Sequence, residues 1–469
     1  MELFFPIISL IVILLIAGLY QKYLSKSYEN QLKSLGLPST LDAISFFHPF
    51  CDDFGGGERV LWVSIQCIQQ SFPQKSCIIY IWNGAKLDSI LNSVESKFGV
   101  NIDPARIHFI KLSTWRYLQA KRYPRFTLIL SSFGSMIPGL EAMILLKPKI
   151  FIESVGYAFI NPIAKLFGSK VISYVHYPTI SSDMIKVIEN RTSAFNNSNT
   201  VAKSSVLSKL KVHYYKLFSF IYGKVGSYGD VVLVNSKWTQ GHINDIWKIP
   251  SKTSILYPPC DTDKLLSFPI ENRKRIILSV AQFRPEKNHH LQIDIIAKLY
   301  QDYPSYFKGI NKVSMVMIGG VRNQDDRDRV AKLRTHIKSV NLDDIVKIVE
   351  NASYDTLLYY LETSLIGFHT MSNEHFGISI IEYMAAGMIA IAHESGGPLM
   401  DIITSPGKTG YLCNDLDSYV NTLHTVLGLT NEQHWKIQNS GRKYVQDKFS
   451  TNAFTSSLTN TLKQYIYIL

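Results

Sequence analysis

Two glutamates spaced eight residues apart form the most specific chemical pattern in the sequence. Glu374 and Glu382 belong to the segment 373–382, in which a glycine and an apolar run separate them. If a helix begins near Gly377, its first N–H groups can bind a phosphate, and the two carboxylates can accept hydrogen bonds from sugar hydroxyls. The pattern therefore predicts a site for a sugar phosphate, although an ordinary helix start is an alternative interpretation.

A basic pair comes earlier in the same half of the chain. Arg284 and Lys287 lie in the segment 279–288 (SVAQFRPEKN), just past a predicted strand. Cations at a strand end can neutralise a diphosphate, and a guanidinium can donate two hydrogen bonds to its oxygens. Solvated charges on a surface loop are the alternative.

Three consecutive glycines mark a third candidate site. Gly55, Gly56 and Gly57 follow a predicted strand and precede a helical pattern. Glycine lets the backbone approach a ligand closely, and a helix start offers N–H groups to an anion. The motif is neither GxGxxG nor a P-loop, so a tight turn explains it equally well.

His176 is the fourth candidate, because it ends a predicted strand and is followed by Tyr177 and Pro178. A histidine in such a place can serve an active site. A lone histidine is nevertheless more often structural than catalytic.

The elements that carry these residues indicate an α/β fold with parallel sheets, because short β-rich runs alternate with longer helical patterns. Strands are predicted in the first half at 43–48, 77–82, 107–111, 128–131, 149–153, 171–176, 230–234 and 254–257. A second series is predicted at 275–280, 314–319, 345–349, 364–368 and 388–393. Such sheets bind ligands beyond the carboxyl ends of their strands, where all four candidates lie.

The composition and net charge indicate which kinds of molecule the protein binds. Hydrophobic residues make up 46% of the 469 residues, and the net charge is +12. The charge is spread along the chain without zinc-finger spacing or a basic heptad, so a membrane or a phosphorylated substrate is favoured over nucleic acid. Five cysteines without a CxxC pair argue against a disulfide framework and for a reducing compartment.

The N-terminus predicts a membrane anchor at 1–21. Residues 3–20 carry no charge and would rise about 27 Å as a helix, close to the thickness of a hydrocarbon core. Lys22, Lys26 and Lys33 follow the apolar run and only Glu2 precedes it, which places the rest of the chain in the cytosol. A cleaved signal peptide would need a basic start and a small-residue cleavage site.

Two later segments differ from the α/β pattern. Residues 189–203 are rich in Asn, Ser and Thr and predict an exposed loop. Residues 207–228 interleave lysines with aromatic residues, which suits a membrane interface or an ordinary half-buried helix.

The glutamate pair resembles the E-x7-E element of the retaining GT-B glycosyltransferases of the GT4 family, and the following SGGP at 395–398 is similar as well. Segments 48–62, 175–183, 233–240 and 282–290 resemble, more closely, the GDP-mannose-dependent α-1,2-mannosyltransferases of dolichol-linked oligosaccharide assembly. The resemblance covers about residues 40–450.

This resemblance implies a GT-B fold with two Rossmann-like domains facing a cleft. The first domain (38–260) would bind the acceptor, the second (270–448) GDP-mannose, and a C-terminal helix (449–469) would pack back on the first. It implies transfer of α-1,2-linked mannose with retention, twice in sequence, to dolichol-diphosphate-linked trimannosyl-chitobiose. Expected partners are GDP-mannose, that lipid-linked oligosaccharide, the endoplasmic reticulum membrane and other mannosyltransferases of the pathway, but not nucleic acid.

The resemblance also implies roles for single residues. Glu374 would contact the transferred mannose, and Glu382 would hold the ribose of GDP. Lys287 and Arg284 would neutralise the leaving diphosphate in place of a metal, so no metal or other cofactor is expected. The wider family places its arginine where this chain has Gln282, which leaves the reach of Arg284 as the point to be tested.

The resemblance further implies which residues contact the phosphates through their backbone and which residue faces the mannose. Gly377 and Ile378 would offer N–H groups to phosphate, with Phe376 in the same donor-binding segment. His176 would face the mannose, and the three glycines at 55–57 would border the diphosphate.

Two kinds of motif and two alternative functions would contradict this interpretation. Asp261 and Asp263 match the D-x-D of metal-dependent transferases but follow two prolines in an inter-domain loop, and sequons open at Asn190, Asn196 and Asn351, which a cytosolic domain would not use. The rivals are another GT4 transferase with a different donor or lipid acceptor, and an inactive GT-B scaffold. The intact candidate residues argue against the scaffold.

Overall fold

The computed structural model describes residues 28–53, 55–189, 205–260 and 262–466. The anchor predicted at 1–21 and most of the loop predicted at 189–203 lie outside these residues. The described chain divides into two units, the first with residues up to 189, 205–234 and 242–254, and the second with residues 235–241 and 255–466.

The first unit is built on a seven-stranded sheet. Its strands are β1 (Ala43–Phe47), β2 (Ser76–Trp82), β3 (Ile107–Leu112), β4 (Ile150–Glu153), β5 (Lys170–Val175), β6 (Val231–Val234) and β7 (Thr253–Ile255). They lie in the order β3-β2-β1-β4-β5-β6-β7, and the pairs from β3 to β6 are parallel. All five residues of β1 are buried, as expected of a central parallel strand covered on both faces.

Helices cover this sheet. They are α1 (Tyr28–Ser34), α2 (Gly56–Ser71), α3 (Leu87–Phe98), α4 (Thr127–Leu145), α5 (Asn161–Leu166), α6 (Ser182–Glu189), α7 (Ser205–Gly226) and α8 (Lys237–Trp247), the last shared between the units. The strand order reverses between β1 and β4, so the loops that leave these two strands meet at the switch point of the sheet.

The second unit repeats the plan with six strands. They are β8 (Lys274–Val280), β9 (Ser314–Gly319), β10 (Val346–Glu350), β11 (Ser364–Phe368), β12 (Ile389–His393) and β13 (Tyr411–Cys413), in the order β10-β9-β8-β11-β12-β13. Every neighbouring pair is parallel. The switch point lies between β8 and β11.

Its helices are α9 (Asp263–Leu266), α10 (His289–Asp302), α11 (Gln324–Ser339), α12 (Tyr354–Thr363), α13 (Ile378–Ala385), α14 (Leu416–Gly428), α15 (Asn431–Phe449) and α16 (Thr451–Ile466). Successive sheet residues belong to two different hydrophobic clusters: Ile277 to one and Leu278 to the other. Because side chains alternate between faces, the sheet has a core on each side.

The strand predictions are confirmed with two differences. Residues 128–131, predicted as a strand, lie in α4, so that prediction was wrong; the three apolar residues 128–130 are too short a run to separate strand from helix. Strand β13, only three residues long, was not predicted. A final helix was expected at 449–469, and α16 begins at Thr451.

Helix α4 has an unusual distribution of side chains. Among the described residues it alone is long and apolar enough to cross a membrane, by length and composition. Its buried positions are mostly small residues, including Gly134, Ser135, Gly139 and Ala142. A Cβ at Gly139 would lie 2.8 Å from Ile160, so small residues allow this close packing. Apart from the buried Met143, the large apolar side chains of α4 therefore lie half-buried or exposed.

Candidate functional site

The strongest candidate site lies at the switch point of the second sheet. The loop after β8 carries Lys287, and the loop after β11 carries His369 and Glu374. Strands β8 and β11 are hydrogen-bonded neighbours, so these loops leave the same edge side by side.

Lys287 and Glu374, both predicted from sequence, form an ion pair in this loop pair. Lys287 Nζ lies 2.5 Å from Glu374 Oε2, and His369 Nε2 lies 3.1 Å from the same oxygen. Glu374 and His369 are both buried. Burial alone would raise the pKa of Glu374, but His369 and Lys287 outweigh it and hold that pKa well below its ordinary value. Glu374 is therefore an ionised acceptor at neutral pH.

A second loop fixes the backbone of Glu374. The Gly397 N–H donates to Glu374 O at 2.8 Å, and the Asn373 N–H donates to Ser395 Oγ at 2.7 Å. Gly396 has φ +60, and a Cβ there would lie 2.3 Å from Glu374 O. Only glycine permits this approach, which explains why SGGP follows the glutamate pair in sequence.

The predicted donor segment continues directly from Glu374. Gly377 adopts φ +110 and caps α13, which begins at Ile378 as the spacing predicted. The first N–H groups of a helix have no acceptor within it, so this end can bind an anion. Phe376 is buried with its ring 5.8 Å from that of Tyr257, and Glu382 lies partly exposed in the middle of α13.

Arg284 is not brought into the Lys287–Glu374 cluster. Its Nη1 lies 3.9 Å from Glu286 Oε1, and the side chain lines a pocket with Asp325 and Asp328. Gln282, at the position where an arginine was expected, accepts a hydrogen bond from Arg322 Nη2 at 3.3 Å.

In the first unit, the glycine loop and His176 lie together. A Cβ at Gly57 would lie 3.6 Å from His176 Nε2, an ordinary contact distance, so the glycine loop and the ring are direct neighbours. Gly55 caps α2, and its N–H donates to Glu58 Oε2 at 2.5 Å, while Gly56 is the first residue of the helix. His48 joins β1 to β4, because its Nδ1 lies 2.9 Å from Ser154 Oγ.

Charge in this cluster is set by burial and pairing. His48 Nε2 lies 3.2 Å from Glu58 Oε1; burial alone would raise the pKa of Glu58, but this contact outweighs it and lowers that pKa. Burial, with a smaller contribution from His48, lowers the pKa of His176 to about 4. His176 is therefore neutral at pH 7, and its Nε2 lies 3.1 Å from Ser154 O.

Sequence reasoning missed three members of these clusters: His48, Glu58 and His369. His48 and His369 directly follow β1 and β11, the same signal that identified His176. Among the described residues, no group of three or more His, Cys, Asp or Glu side chains is arranged to hold a metal ion.

Two family models match the chain. The ALG11 mannosyltransferase N-terminus matches residues 42–247, and glycosyl transferases group 1 matches residues 264–443. A glycosyltransferase from Rickettsia africae has a similar structure with a TM-score of 0.60 at 17% identity, covering 92% of this chain and 99% of that one. This likeness confirms two Rossmann-like halves of GT-B type.

Relatives of known name align over nearly the whole chain. The GDP-Man:Man(3)GlcNAc(2)-PP-Dol alpha-1,2-mannosyltransferase of Dictyostelium discoideum is 42% identical over 431 residues, 90% of this chain and 85% of that protein. The Homo sapiens protein of the same name is 40% identical over 450 residues, 94% of this chain and 88% of that protein. The chain therefore belongs to the family of GDP-Man:Man(3)GlcNAc(2)-PP-Dol alpha-1,2-mannosyltransferases.

Proposed function

We propose that this chain transfers mannose from GDP-mannose to dolichol-diphosphate-linked trimannosyl-chitobiose, forming α-1,2 linkages twice in succession with retention. Donor, acceptor and linkage follow from the names of its relatives. The observation that supports the chemistry is the Lys287–Glu374 pair beside His369 at the switch point of the second sheet.

The ionisation of Glu374 defines its proposed part in transfer. An ionised carboxylate accepts hydrogen bonds from the hydroxyls of the transferred mannose and cannot donate a proton to the leaving group. Lys287 stabilises the charge that grows on the diphosphate as the bond from mannose to phosphate breaks. The amides of Gly377 and Ile378 add neutral donors at the start of α13.

The remaining contacts are proposed from their chemistry. Glu382 accepts from the ribose hydroxyls of GDP, and the loop at 55–57 borders the diphosphate. His176, neutral at pH 7 and donating its Nε2–H to Ser154 O, can accept a hydrogen bond at mannose through Nδ1 without adding charge. Arg284 is a further candidate for the phosphates, although its nearest charged partner is Glu286.

We place the protein at the cytosolic face of the endoplasmic reticulum membrane, with a single N-terminal anchor and with other mannosyltransferases of the pathway as partners. The lipid-linked acceptor named for its relatives requires a membrane nearby. The lysines after the apolar N-terminus orient the domains towards the cytosol.

The test is a donor and acceptor panel with purified full-length protein in detergent. GDP-mannose should support transfer to a synthetic trimannosyl lipid acceptor, whereas UDP-glucose and UDP-N-acetylglucosamine should not. Activity should persist in excess EDTA, because basic groups and amides are proposed to hold the phosphates. Transfer from a different donor would favour the rival GT4 function, and no transfer from any donor would favour the scaffold.

A further inference from the structure

The two cations first assigned to the diphosphate both face carboxylates. Lys287 Nζ contacts Glu374 at 2.5 Å, and Arg284 Nη1 lies 3.9 Å from Glu286. The pocket beside Arg284 adds two more carboxylates, Asp325 and Asp328. A diphosphate at this edge of the sheet needs a cation whose charge is not already balanced.

Arg322 is such a cation. It is exposed, and its Nη2 donates to the neutral amide of Gln282 at 3.3 Å. The ion pairs found among the described residues do not include Arg322. Asp326, four residues further along the chain, accepts from the Arg322 backbone N–H at 3.2 Å and is itself paired with Arg329 at 3.4 Å.

The sheet holds Arg322 beside the loop of Lys287. Arg322 follows β9, the strand next to β8, and the Ala281 N–H donates to Ile318 O at 2.9 Å. A Cβ at Gly319 would lie 2.2 Å from Ala281 O, so glycine allows the two loops to touch.

Two further contacts order these loops. Asn351 Oδ1 accepts from the Val321 N–H at 2.8 Å, which holds the residue before Arg322. On the other side, the Arg284 N–H donates to Gln282 O at 2.7 Å and the Lys287 N–H to Arg284 O at 3.2 Å. Two consecutive turns therefore connect Gln282 to Lys287.

We propose that Arg322 binds the diphosphate of GDP-mannose and that Gln282 is the positioning residue that orients its guanidinium. The proposal rests on the proposed function, because it assigns a new residue to the same donor site. A guanidinium can donate two parallel hydrogen bonds to phosphate oxygens, which an ammonium cannot do. The Gln282 amide orients that group without cancelling its charge.

The test compares the binding of GDP and guanosine by calorimetry, because only GDP carries the diphosphate. Arg322→Gln should weaken GDP binding roughly 10- to 100-fold while leaving guanosine binding unchanged. The KM for GDP-mannose should rise in parallel, and Arg322→Lys should recover only part of the loss. Arg327→Gln, which removes an exposed arginine of α11 bonded to Gln324, is the matched control and should bind GDP normally.

Gln282→Glu tests the positioning role. A carboxylate about as close to Arg322 as the present amide would compete with phosphate, so GDP affinity should fall while guanosine affinity stays the same. The loss should disappear when Arg322 is already Gln, since no guanidinium then remains to be neutralised.

The proposal is overturned if folded Arg322→Gln, with an unchanged melting temperature, binds GDP within twofold of wild type. It is also overturned if GDP and guanosine weaken equally. In either case the wild type remains active, so the proposed function stands. A wild type that neither binds GDP nor transfers mannose would overturn the proposed function and this assignment with it.

Discussion

At the scale of the residue, the site is organised around the carboxylate of Glu374, which contacts Lys287 and His369. The spacing of the glutamate pair and the turn after β8 singled out Glu374 and Lys287 as candidates, and the structure brings these two residues together. Their mutual contact at 2.5 Å was not predictable, because it depends on β8 and β11 being neighbours in the sheet. His369 was not predicted for the same reason. In the sequence it is a lone histidine, and only in the folded protein does its Nε2 lie 3.1 Å from Glu374.

Replacing Glu374 with alanine should lower the rate of mannose transfer at least about 100-fold, because a contact to the sugar that matters at the transition state is lost. GDP binding should be retained, since Lys287 loses a carboxylate that competes with phosphate. Initial rates and calorimetry measure the two effects. Glu432→Ala, an exposed glutamate of α15, is the control, and near-normal transfer by folded Glu374→Ala would refute the assignment.

His289 gives a prediction for pH. It is buried, and burial, with smaller effects of Lys287 and His369, lowers its pKa to about 3. Below pH 6.5 His289 binds a proton in the unfolded chain but not in the folded protein. The contribution of this residue to the free energy of unfolding is therefore complete above pH 6.5 and decreases as the pH falls. At pH 5 the loss from this residue should be about 2 kcal/mol.

Urea unfolding of wild type and His289→Gln between pH 7 and 5 measures this effect. The variant should show the shallower decline in unfolding free energy, by up to about 1.4 kcal/mol per pH unit. His213→Gln, at an exposed position of α7, should leave the slope unchanged. Equal slopes in wild type and His289→Gln would contradict the prediction.

At the scale of the element, α4 is where sequence reasoning failed and where the structure adds most. Its outward stripe is Leu130, Phe133, Ile137, Leu140 and Ile144, preceded by the capping residue Phe126, and each of these side chains is between 41% and 65% exposed. Local apolar periodicity could not show that small residues face inward, because that depends on close contacts such as Gly139 with Ile160. The central strands were predictable, since continuous apolar runs are typical of buried parallel sheets.

Helix α7 adjoins this stripe. The Ile129 N–H donates to Tyr214 Oη at 3.2 Å, and Phe126 lies 5.7 Å from the Tyr214 ring. Leu210, Leu217 and Phe220 of α7 are also exposed. Apolar side chains beside the lysines of the segment 207–228 suit the boundary between lipid headgroups and acyl chains.

A protein lacking residues 1–20 should therefore still bind anionic vesicles at low salt, with each lysine near the surface contributing about 1 kcal/mol. Replacing Phe133, Ile137 and Leu140 with asparagine should reduce vesicle binding, because the substituted stripe no longer favours the acyl region. Phe133 also lies 5.2 Å from the ring of buried Phe159, so binding is compared at a temperature at which circular dichroism shows the variant to be folded. Co-sedimentation with liposomes measures binding.

Ile310→Asn, at a fully exposed position of the second unit, is the matched control and should bind vesicles as the truncated protein does. If the triple variant binds vesicles as well as that control, α4 does not contact lipid. If the truncated parent fails to bind at low salt, neither α4 nor α7 is an interfacial helix.

At the scale of the whole molecule, the sequence predicted two Rossmann-like halves because strand and helix patterns restart after residues 258–273. The five cysteines are all buried and free, as expected of a protein kept in a reducing compartment. Asn351, a sequon residue, bonds through its side chain to both backbone groups of Val321. A glycan there would remove a donor and crowd the loop that carries Arg322.

Topology should therefore be cytosolic after the N-terminal anchor. Protease added to intact microsomes should digest the domains, and endoglycosidase should not shift the protein on a gel. A protease-protected and glycosylated chain would contradict the orientation and the cytosolic supply of GDP-mannose together.

The most direct measurement is the product formed by purified full-length protein from GDP-mannose and a synthetic trimannosyl-chitobiosyl lipid diphosphate. Mass spectrometry should show addition of one hexose and then a second, and both should be removed by an α-1,2-specific mannosidase. Glu374→Ala, assayed at the same concentration, should give neither product. A product resistant to that mannosidase, or no hexose added by folded wild-type protein, would contradict the assignment of this chain as an α-1,2-mannosyltransferase.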